Sequence, residues 1–278
     1  MARASEIIDN KIATQQNRPQ EIKSLIERDL QLAEVVRDPE RLKAVRRAAL
    51  QFYAAQLRNP NEKLANAMRK VEPRAFLGAV VDAAADGLLP NGVDGWIVPR
   101  GIGCTWTKSW RGLVKLIRRA MEVRGCAVTS LYAEVVREND AFSCDLATRK
   151  LGPHVPQLAG DAGRIIGAYA AIAWQDKSGV THSSWRLLTW SELERRAERS
   201  GSIHDAKWSQ IWSEWTDSMS RKSAIRALAD WLDLDDGAMA SLMADDASGD
   251  GEEEAKAVKV EQVERVEQVE PGVNHADG

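Results

Sequence analysis

Cysteine, histidine and long apolar runs are scarce in this chain of 278 residues. The three cysteines, Cys104, Cys126 and Cys144, lie far apart and form no CxxC pair. This spacing fits a reduced cytoplasmic chain better than a disulfide framework or a structural zinc site. No run approaches eighteen consecutive apolar residues, so no membrane-spanning helix is predicted. The N-terminus is polar and contains acids, which predicts no signal peptide.

Signatures of common catalytic sites are missing too. The four histidines show no HExxH spacing, and neither a GxxxxGK[ST] phosphate loop nor a GxSxG nucleophile elbow occurs. Asp140 and Asp145 remain as carboxylates that could serve a magnesium-dependent nuclease beside a basic groove, and this alternative stays open. Because lone carboxylates near strands and turns are usually structural, the chain is predicted not to be an enzyme and to need no cofactor.

Charge is divided unevenly along the chain. From residue 244 onward there are 11 acids and 3 bases, a net charge of −8, so residues 1–243 carry +5 in a chain of net −3. The tail, which includes the repeat "VEQVERVEQVEP", has too little apolar surface to offset the entropy of ordering. We therefore predict a mobile segment at residues 1–18, one domain at residues 19–243 and a disordered acidic tail at residues 244–278. The tail either solubilises the protein, docks a partner or competes for the basic groove of the domain.

The order of helical and strand patterns predicts an α+β fold. Helical periodicity runs over residues 19–89, with one helix starting at Pro39 and another at Pro73. Runs of β-branched residues then indicate hairpins around "RGIG" and "QDKSG", with one helix inserted in an antiparallel meander. Two C-terminal helices close the domain. One has a capping box at Ser191 and Glu194, and the other covers "DAKWSQIWSEWTDSMSRKSAIRALADWL".

One segment, "RGIGCTWTKSWRGLVKLIRR" at residues 100–119, contains bases and no acids. Its cations are Arg100, Lys108, Arg111, Lys115, Arg118 and Arg119. A helix that begins near Ser109 would place Trp110 and Ile117 on an apolar side and most cations opposite, and its first N–H groups would also favour phosphate. Two interpretations stay open. The cations either follow a phosphate backbone, or form a solvated face that pairs with acids distant in sequence.

Tryptophans near cations favour the first interpretation. Single-stranded nucleic acid is bound by a positive groove and by aromatic side chains on which its bases stack. Trp106 and Trp208 each lie near a lysine and are the preferred stacking candidates, whereas Trp212 and Trp215 are spaced as on a buried helical stripe. The cations of this second region are Lys207, Arg221, Lys222 and Arg226. Together with the basic segment, these residues form the predicted nucleic-acid site.

Five motifs follow one another along the chain. Their residues are Gly87, Leu88, Leu89 and Pro90; Trp110, Arg111 and Gly112; Val136, Asp140 and Phe142; Gly167, Ala168, Tyr169 and Ala170; and Trp208, Met219 and Lys222. In this order they resemble the RecT family of phage and prophage single-strand annealing recombinases. The family pattern has an apolar helix ending in G-L-x-P, an aromatic-Arg-Gly at a helix start, V-x-x-x-D-x-F, G-A-Y-A, and a Trp-rich helix ending in Met-x-x-Lys. The resemblance covers roughly residues 30–235 and departs at Trp110, where the family usually has tyrosine.

The resemblance implies an ATP-independent protein that binds single-stranded DNA and anneals complementary strands in homologous recombination and repair. It also implies a homo-oligomer, as a ring or a helical filament, with DNA in an outer positive groove formed by a β-hairpin region and a helix. Expected partners are the two DNA strands, a phage exonuclease and the host single-strand-binding protein in the bacterial cytoplasm. Magnesium, if it assists pairing, is expected to screen the strands without a site on the protein.

A sequence-specific duplex reader is a third hypothesis beside annealing and the nuclease. The helix after Ser109 offers arginine and lysine but no Asn or Gln for bidentate contacts to adenine. It is therefore predicted to contact the backbone rather than the bases.

Overall fold

The computed structural model describes residues 17–199, 203–204, 207–208, 212, 215–232, 234 and 236–243. The predicted acidic tail at residues 244–278 and most of the predicted mobile segment lie outside the described residues, so both stay predictions. The first helix begins at residue 17, two residues before the predicted start of the domain. Within the described ranges, no helix is both long and apolar enough to cross a bilayer.

Helices make up the N-terminal part of the described chain. Their bounds are residues 17–28 for α1, Leu30–Val35 for α2, Pro39–Leu57 for α3, Glu62–Lys70 for α4 and Pro73–Ala85 for α5. The predicted starts at Pro39 and Pro73 are confirmed, since each proline occupies the first helical position, where no intrahelical N–H bond is lost. Asp38 caps α3 by accepting a hydrogen bond from the N–H of Glu40.

The strands pair antiparallel. Their bounds are Gly95–Arg100 for β1, Gly103–Lys108 for β2, Ala127–Arg137 for β3, Ala141–Asp145 for β4, Lys150–Val155 for β5, Ile165–Gln175 for β6, Thr181–Thr189 for β7, Ile203–His204 for β8 and Lys207–Trp208 for β9. The predicted hairpins β1–β2 and β6–β7 are confirmed, and β3 adds to β6 to complete a three-stranded sheet. The β4–β5 hairpin is not evident from the sequence, because β4 has only five residues and β5 contains Gly152 and Pro153, which are rare in strands.

Helix α6 (Trp110–Val123) lies between the β1–β2 hairpin and the sheet, as the sequence predicts. Together with α8 (Thr216–Ala229) it packs on the sheet over a core that includes Leu131, Ala170 and Ile172. The β4–β5 hairpin contributes Phe142 to a smaller apolar cluster around Tyr169. This arrangement of helices on antiparallel sheets confirms the α+β prediction.

The predicted capping box at Ser191 and Glu194 is wrong. Helix α7 spans Trp190–Arg199, and Glu192 Oε2 accepts hydrogen bonds from the N–H (2.8 Å) and the hydroxyl (2.9 Å) of Thr189. Glu194 instead accepts a hydrogen bond from the indole N–H of Trp190 (2.7 Å). The paired residues lie two positions earlier than predicted, at Thr189 and Glu192, because Thr189 is both the last residue of β7 and the residue that precedes α7.

The long C-terminal helix predicted over residues 205–232 is wrong at its start. Lys207–Trp208 forms β9 and pairs with β8, whereas Thr216–Ala229, inside the predicted bounds, is helical. Trp208 therefore does not share a helical stripe with Trp212. Local strand pairing overrides the helical periodicity here, and α9 (Asp236–Met243) follows α8 as a separate helix.

Candidate nucleic-acid interface

The N-terminus of α6 is anchored to the loop before β1. The Ser109 hydroxyl donates to the carbonyl of Val93 (2.6 Å) and accepts from the N–H of Gly112 (3.0 Å), while the Ser109 N–H donates to the carbonyl of Asp94 (2.9 Å). The helix start predicted at Ser109 is therefore confirmed. Ser109 and Gly112 are buried, however, and the N–H of Gly112 is already bonded, so this end of the helix does not offer the exposed phosphate-binding turn expected from the sequence.

Gly112, the last residue of the aromatic-Arg-Gly motif, permits a close approach of backbone to backbone. A Cβ atom built at this position would lie 2.1 Å from the carbonyl oxygen of Asp94 and 3.2 Å from a methyl carbon of Leu88. Only glycine lets α6 approach the loop this closely. The motif therefore fixes the position of the basic helix against the β1–β2 hairpin.

Asp86 bonds two of the predicted site residues, and both of them are buried. Its Oδ2 accepts hydrogen bonds from the indole N–H of Trp106 (2.8 Å) and the ammonium of Lys108 (3.1 Å). The relative exposure is 6% for Trp106 and 2% for Lys108. Both residues lie on the same face of β2, because alternate residues of a strand share a face, and this hairpin packs against α5. This burial does not fit base stacking by Trp106 or phosphate contact by Lys108, and we correct both expectations.

Two cations of the basic segment pair with acids distant in sequence, as the second interpretation anticipated. Lys108 pairs with Asp86, and Lys115 Nζ lies 2.6 Å from Oδ1 of Asp94. The two pairs differ in exposure, since the Lys115 side chain remains 54% exposed above a buried carboxylate. Lys115 therefore keeps its ammonium within reach of a ligand, whereas Lys108 does not.

Arg119 is held on the surface by backbone carbonyls. Its guanidinium donates to the carbonyls of Asp86 (2.9 Å) and Gly87 (2.8 Å), and Arg41 also donates to the Gly87 carbonyl. Gly87 has a φ of 69°, and a Cβ built there would lie 2.0 Å from a guanidinium nitrogen of Arg119. The G-L-x-P turn therefore requires glycine in order to receive this arginine.

The other cations of the segment differ in exposure. Arg111 is exposed, with its guanidinium carbon 4.9 Å from the ring centroid of Trp110. Arg100 is exposed at the end of β1. Arg118 is half-buried and donates to the carbonyl of Val128 (3.3 Å). Exposed positive charge therefore comes from Arg100, Arg111, Lys115 and Arg119, and Arg118 contributes less than the sequence indicates.

The second group of predicted cations is less exposed. Lys222 and Arg226 are buried in α8, which does not fit direct phosphate contact. Arg221 is half-buried and pairs with Glu134 of β3 (3.0 Å). These residues lie on α8 where it packs on the sheet, and amphipathic spacing alone could not distinguish this buried side from a basic surface. Lys207 and Trp208 belong to β9, and their side chains lie outside the described part of the chain.

One exposed group of cations around a tryptophan is not predicted from the sequence. Trp231 is 51% exposed, and the guanidinium carbons of Arg149 and Arg186 lie 4.9 Å and 5.5 Å from its ring centroid. The three residues come from the β4–β5 turn, from β7 and from the segment after α8. No local spacing relates them, so no sequence pattern could have found the group.

The carboxylates of the nuclease alternative both accept several hydrogen bonds from the protein. Asp140 accepts from the N–H groups of Arg137 (2.8 Å) and Gln157 (2.9 Å) and lies 3.1 Å from Nε2 of His154. Burial opposes its ionisation, but these hydrogen bonds outweigh burial and lower the pKa of Asp140 below its ordinary value. Hydrogen bonds from the hydroxyl and N–H of Thr148 likewise lower the pKa of Asp145.

The two carboxylates are also separated by a strand. Asp140 immediately precedes β4 and Asp145 ends it, which places their Cα atoms roughly 16 Å apart for an extended chain. This distance does not suit two carboxylates that share one metal. Among the described residues, no three His, Cys, Asp or Glu side chains are grouped so as to hold a metal ion.

The RecT family model matches residues 49–260, which is more than half of the chain. A comparison with curated proteins finds no match. The matched region includes the turn at Gly87, the start of α6 at Gly112 and the central strand β6. RecT-family proteins bind single-stranded DNA and anneal it in phage-type recombination. The chain therefore belongs to the RecT family of single-strand DNA annealing proteins.

Proposed function

We propose that the chain binds single-stranded DNA along α6 and anneals complementary strands without ATP, acting as a homo-oligomer. The observation that carries this proposal is a row of exposed cations, Arg111, Lys115 and Arg119, spaced four residues apart on one side of the helix. Neighbours in such a row are about 6 Å apart along the helix axis. Arg100 is exposed at the tip of the β1–β2 hairpin, at the end away from the start of α6, and is a separate cation of the proposed surface.

These cations favour contact with the phosphate backbone rather than with base edges. Lys115 is anchored by a buried carboxylate and Arg119 by two carbonyls, so both present charge in a fixed place. A strand held by its phosphates leaves its bases free to test a second strand by Watson–Crick pairing. The protein then needs no sequence code, and annealing requires no bond to be made or broken.

Trp231 is the better candidate for base stacking, in place of Trp106. It is exposed beside Arg149 and Arg186, whose guanidinium groups can also contact phosphate. Its neighbour Leu232 accepts a hydrogen bond from Arg124 at the C-terminal end of α6 (2.6 Å), so Trp231 lies near that end of the basic helix. We include this group in the proposed DNA path.

Family membership supports the remaining parts of the proposal. These are a ring or helical filament of identical subunits, a phage exonuclease and the host single-strand-binding protein as partners, and action in the bacterial cytoplasm. Magnesium is proposed to screen the two strands without a protein site, and no cofactor is proposed.

The decisive test mixes the protein with two complementary fluorescent oligonucleotides, without nucleotide cofactor and with or without magnesium. Pairing and strand length are followed together. We expect faster pairing of intact strands under both conditions. Strands that shorten only with magnesium would favour the nuclease alternative and direct attention to Asp140 and Asp145, and binding without either effect would overturn the annealing proposal.

A further inference from the structure

A groove between α1 and α3 combines an apolar floor with a basic rim. Its volume is about 520 Å³. Three lining residues, Pro39, Leu42 and Leu50, are apolar, and we call them the floor; three others, Lys43, Arg46 and Arg47, are cations, and we call them the rim. We call this site the α3 groove. It contains none of the residues assigned above to DNA, and it differs from α6 in having apolar surface beneath its cations.

The cations of the α3 groove lack acidic partners in the part of the chain that the structure describes. No carboxylate there lies within 4.0 Å of Lys43, Arg46 or Arg47. Among the described residues that line the groove, Glu27 is the one acid, and its carboxylate lies 4.0 Å from the ammonium of Lys23. The Nε of Arg46 is buried, and among the described residues it makes no hydrogen bond. A buried donor of this kind favours a ligand that supplies an acceptor.

The acidic tail has the complementary pattern. Its repeat places valine at every third position from Val260 to Val269, and a glutamate follows each valine. The tail as a whole carries −8, whereas residues 1–16, which precede α1, contain two acids and two bases and carry no net charge. A single DNA strand would satisfy the basic rim, but none of the described residues that line the groove is an aromatic side chain on which its bases could stack. Charge and apolar pattern together therefore favour the tail as the occupant of the groove over residues 1–16 and over DNA.

We propose that residues 260–270 bind in the α3 groove, with valine side chains on the apolar floor and glutamate carboxylates on the basic rim. Sixteen residues separate Met243, the end of α9, from Val260. Such a segment spans on the order of 50 Å when extended, which exceeds the diameter of a domain of this size. The repeat therefore reaches the groove of its own chain or that of a neighbouring copy. This assignment does not depend on DNA annealing.

Carbodiimide coupling of the full-length protein tests the proposal, because the reagent joins a lysine ammonium to a carboxylate in contact with it. Peptide mass spectrometry then identifies the joined residues. We expect Lys43 to be coupled to Glu261, Glu264, Glu267 or Glu270, at a yield about tenfold above that of a lysine the tail meets only by random encounter. Lys63, an exposed lysine of α4 outside the groove, supplies that comparison. Mixing copies of different nitrogen isotopes assigns the product to one chain or to two, and either supports the proposal.

A variant with glutamine at all four glutamate positions keeps length and valines but has no carboxylate there to couple, so it checks that the Lys43 product comes from the repeat, while the comparison with Lys63 tests binding. Equal coupling of Lys43 and Lys63 to the tail would overturn the proposal. Coupling of Lys43 to Glu6 or Asp9 would assign the groove to the N-terminal segment instead. If Lys43 shows no coupling to the tail and a single-stranded oligonucleotide protects it from acetylation, the groove is a nucleic-acid surface and the proposal is wrong.

Discussion

At the scale of single residues, the partner of each lysine decides whether its charge reaches the surface. Lys108 and Lys115 lie seven positions apart in one basic segment, and each pairs with one aspartate. Asp86 lies behind β2 and holds Lys108 in the interior, where Trp106 shares the same carboxylate. Asp94 is itself buried, but the side chain of its partner Lys115 is 54% exposed. The positive charge of Lys115 is therefore accessible at the surface. Sequence spacing alone cannot separate the two cases, because both acids are distant in sequence.

Replacing Lys108 with alanine is expected to destabilise the fold more than it weakens DNA binding. It leaves Asp86 without its ammonium partner, and removing one member of a buried pair costs roughly 3 kcal/mol in the free energy of unfolding. Lys115→Ala also leaves a buried carboxylate, Asp94, but the Lys115 side chain is half exposed, so water can take the place of its ammonium and the cost should be smaller, about 1 kcal/mol. Urea unfolding of both variants measures the difference. If Lys108→Ala leaves stability unchanged but weakens DNA binding, Lys108 contacts a DNA phosphate after all, and the conclusion from its burial is wrong.

Gly112→Ala is expected to destabilise the fold by roughly 1–3 kcal/mol, because the new Cβ would press on the Asp94 carbonyl and force α6 away from the hairpin. Gly78→Ala is the matched control. Gly78 is an exposed helical glycine whose added Cβ would meet nothing within 4 Å, so this change should stabilise by about 0.5–1 kcal/mol. Thermal unfolding compares the two variants, and equal effects would contradict the close approach inferred at Gly112.

At the scale of elements, predictions succeed where a helix or hairpin is specified by its own residues. Pro39 and Pro73 start helices, Ser109 caps α6, and the "QDKSG" connector turns between β6 and β7. The predictions fail where the start or the type of an element depends on the segment that precedes it or pairs with it. α7 takes its cap from the last residue of β7, and β9 pairs with β8 where periodicity alone indicates helix.

Two alanine variants can distinguish the observed cap of α7, at Thr189, from the cap predicted from the sequence, at Ser191. Thr189→Ala is expected to lower the free energy of unfolding by about 1 kcal/mol, because it removes the hydroxyl that donates to Glu192. Ser191→Ala, at the position that the sequence indicates, should change stability by less than about 0.5 kcal/mol. Chemical denaturation of the two variants gives the comparison. A larger loss for Ser191→Ala would return the cap to the position predicted from the sequence.

The cation row of α6 gives a prediction about salt dependence. Glutamine at Arg111, Lys115 and Arg119 removes three proposed phosphate contacts, which should reduce the slope of log affinity against log salt by about 2 on single-stranded DNA. Lys63, Lys70 and Arg74 are three exposed cations on α4 and α5, and the same change there should leave the slope nearly unaltered. Fluorescence anisotropy over a salt series measures both variants. An unchanged slope for the α6 variant would remove this helix from the interface.

At the scale of the whole molecule, the fold class and the family follow from the order of local patterns, but the interface does not. Asp86 is bonded by Trp106, Lys108 and Ser241, which come from three distant parts of the chain. The exposed Trp231 likewise meets arginines from two other elements. Such sites form only when helices and strands pack. Sequence patterns therefore locate the basic helix correctly and leave undecided which of its cations face solvent.

Removing the acidic tail should tighten binding to single-stranded DNA. A chain that ends at Met243 changes in net charge from −3 to +5, which strengthens the attraction to phosphates. The cut must follow Met243 rather than precede α9, because Leu242 is fully buried and Ser241 bonds Asp86. The gain should be largest at low salt and shrink above about 0.5 M, where screening acts over only a few ångströms. A salt-independent gain would indicate that the tail blocks the surface sterically, and an unchanged affinity would show that it does not compete with DNA at all.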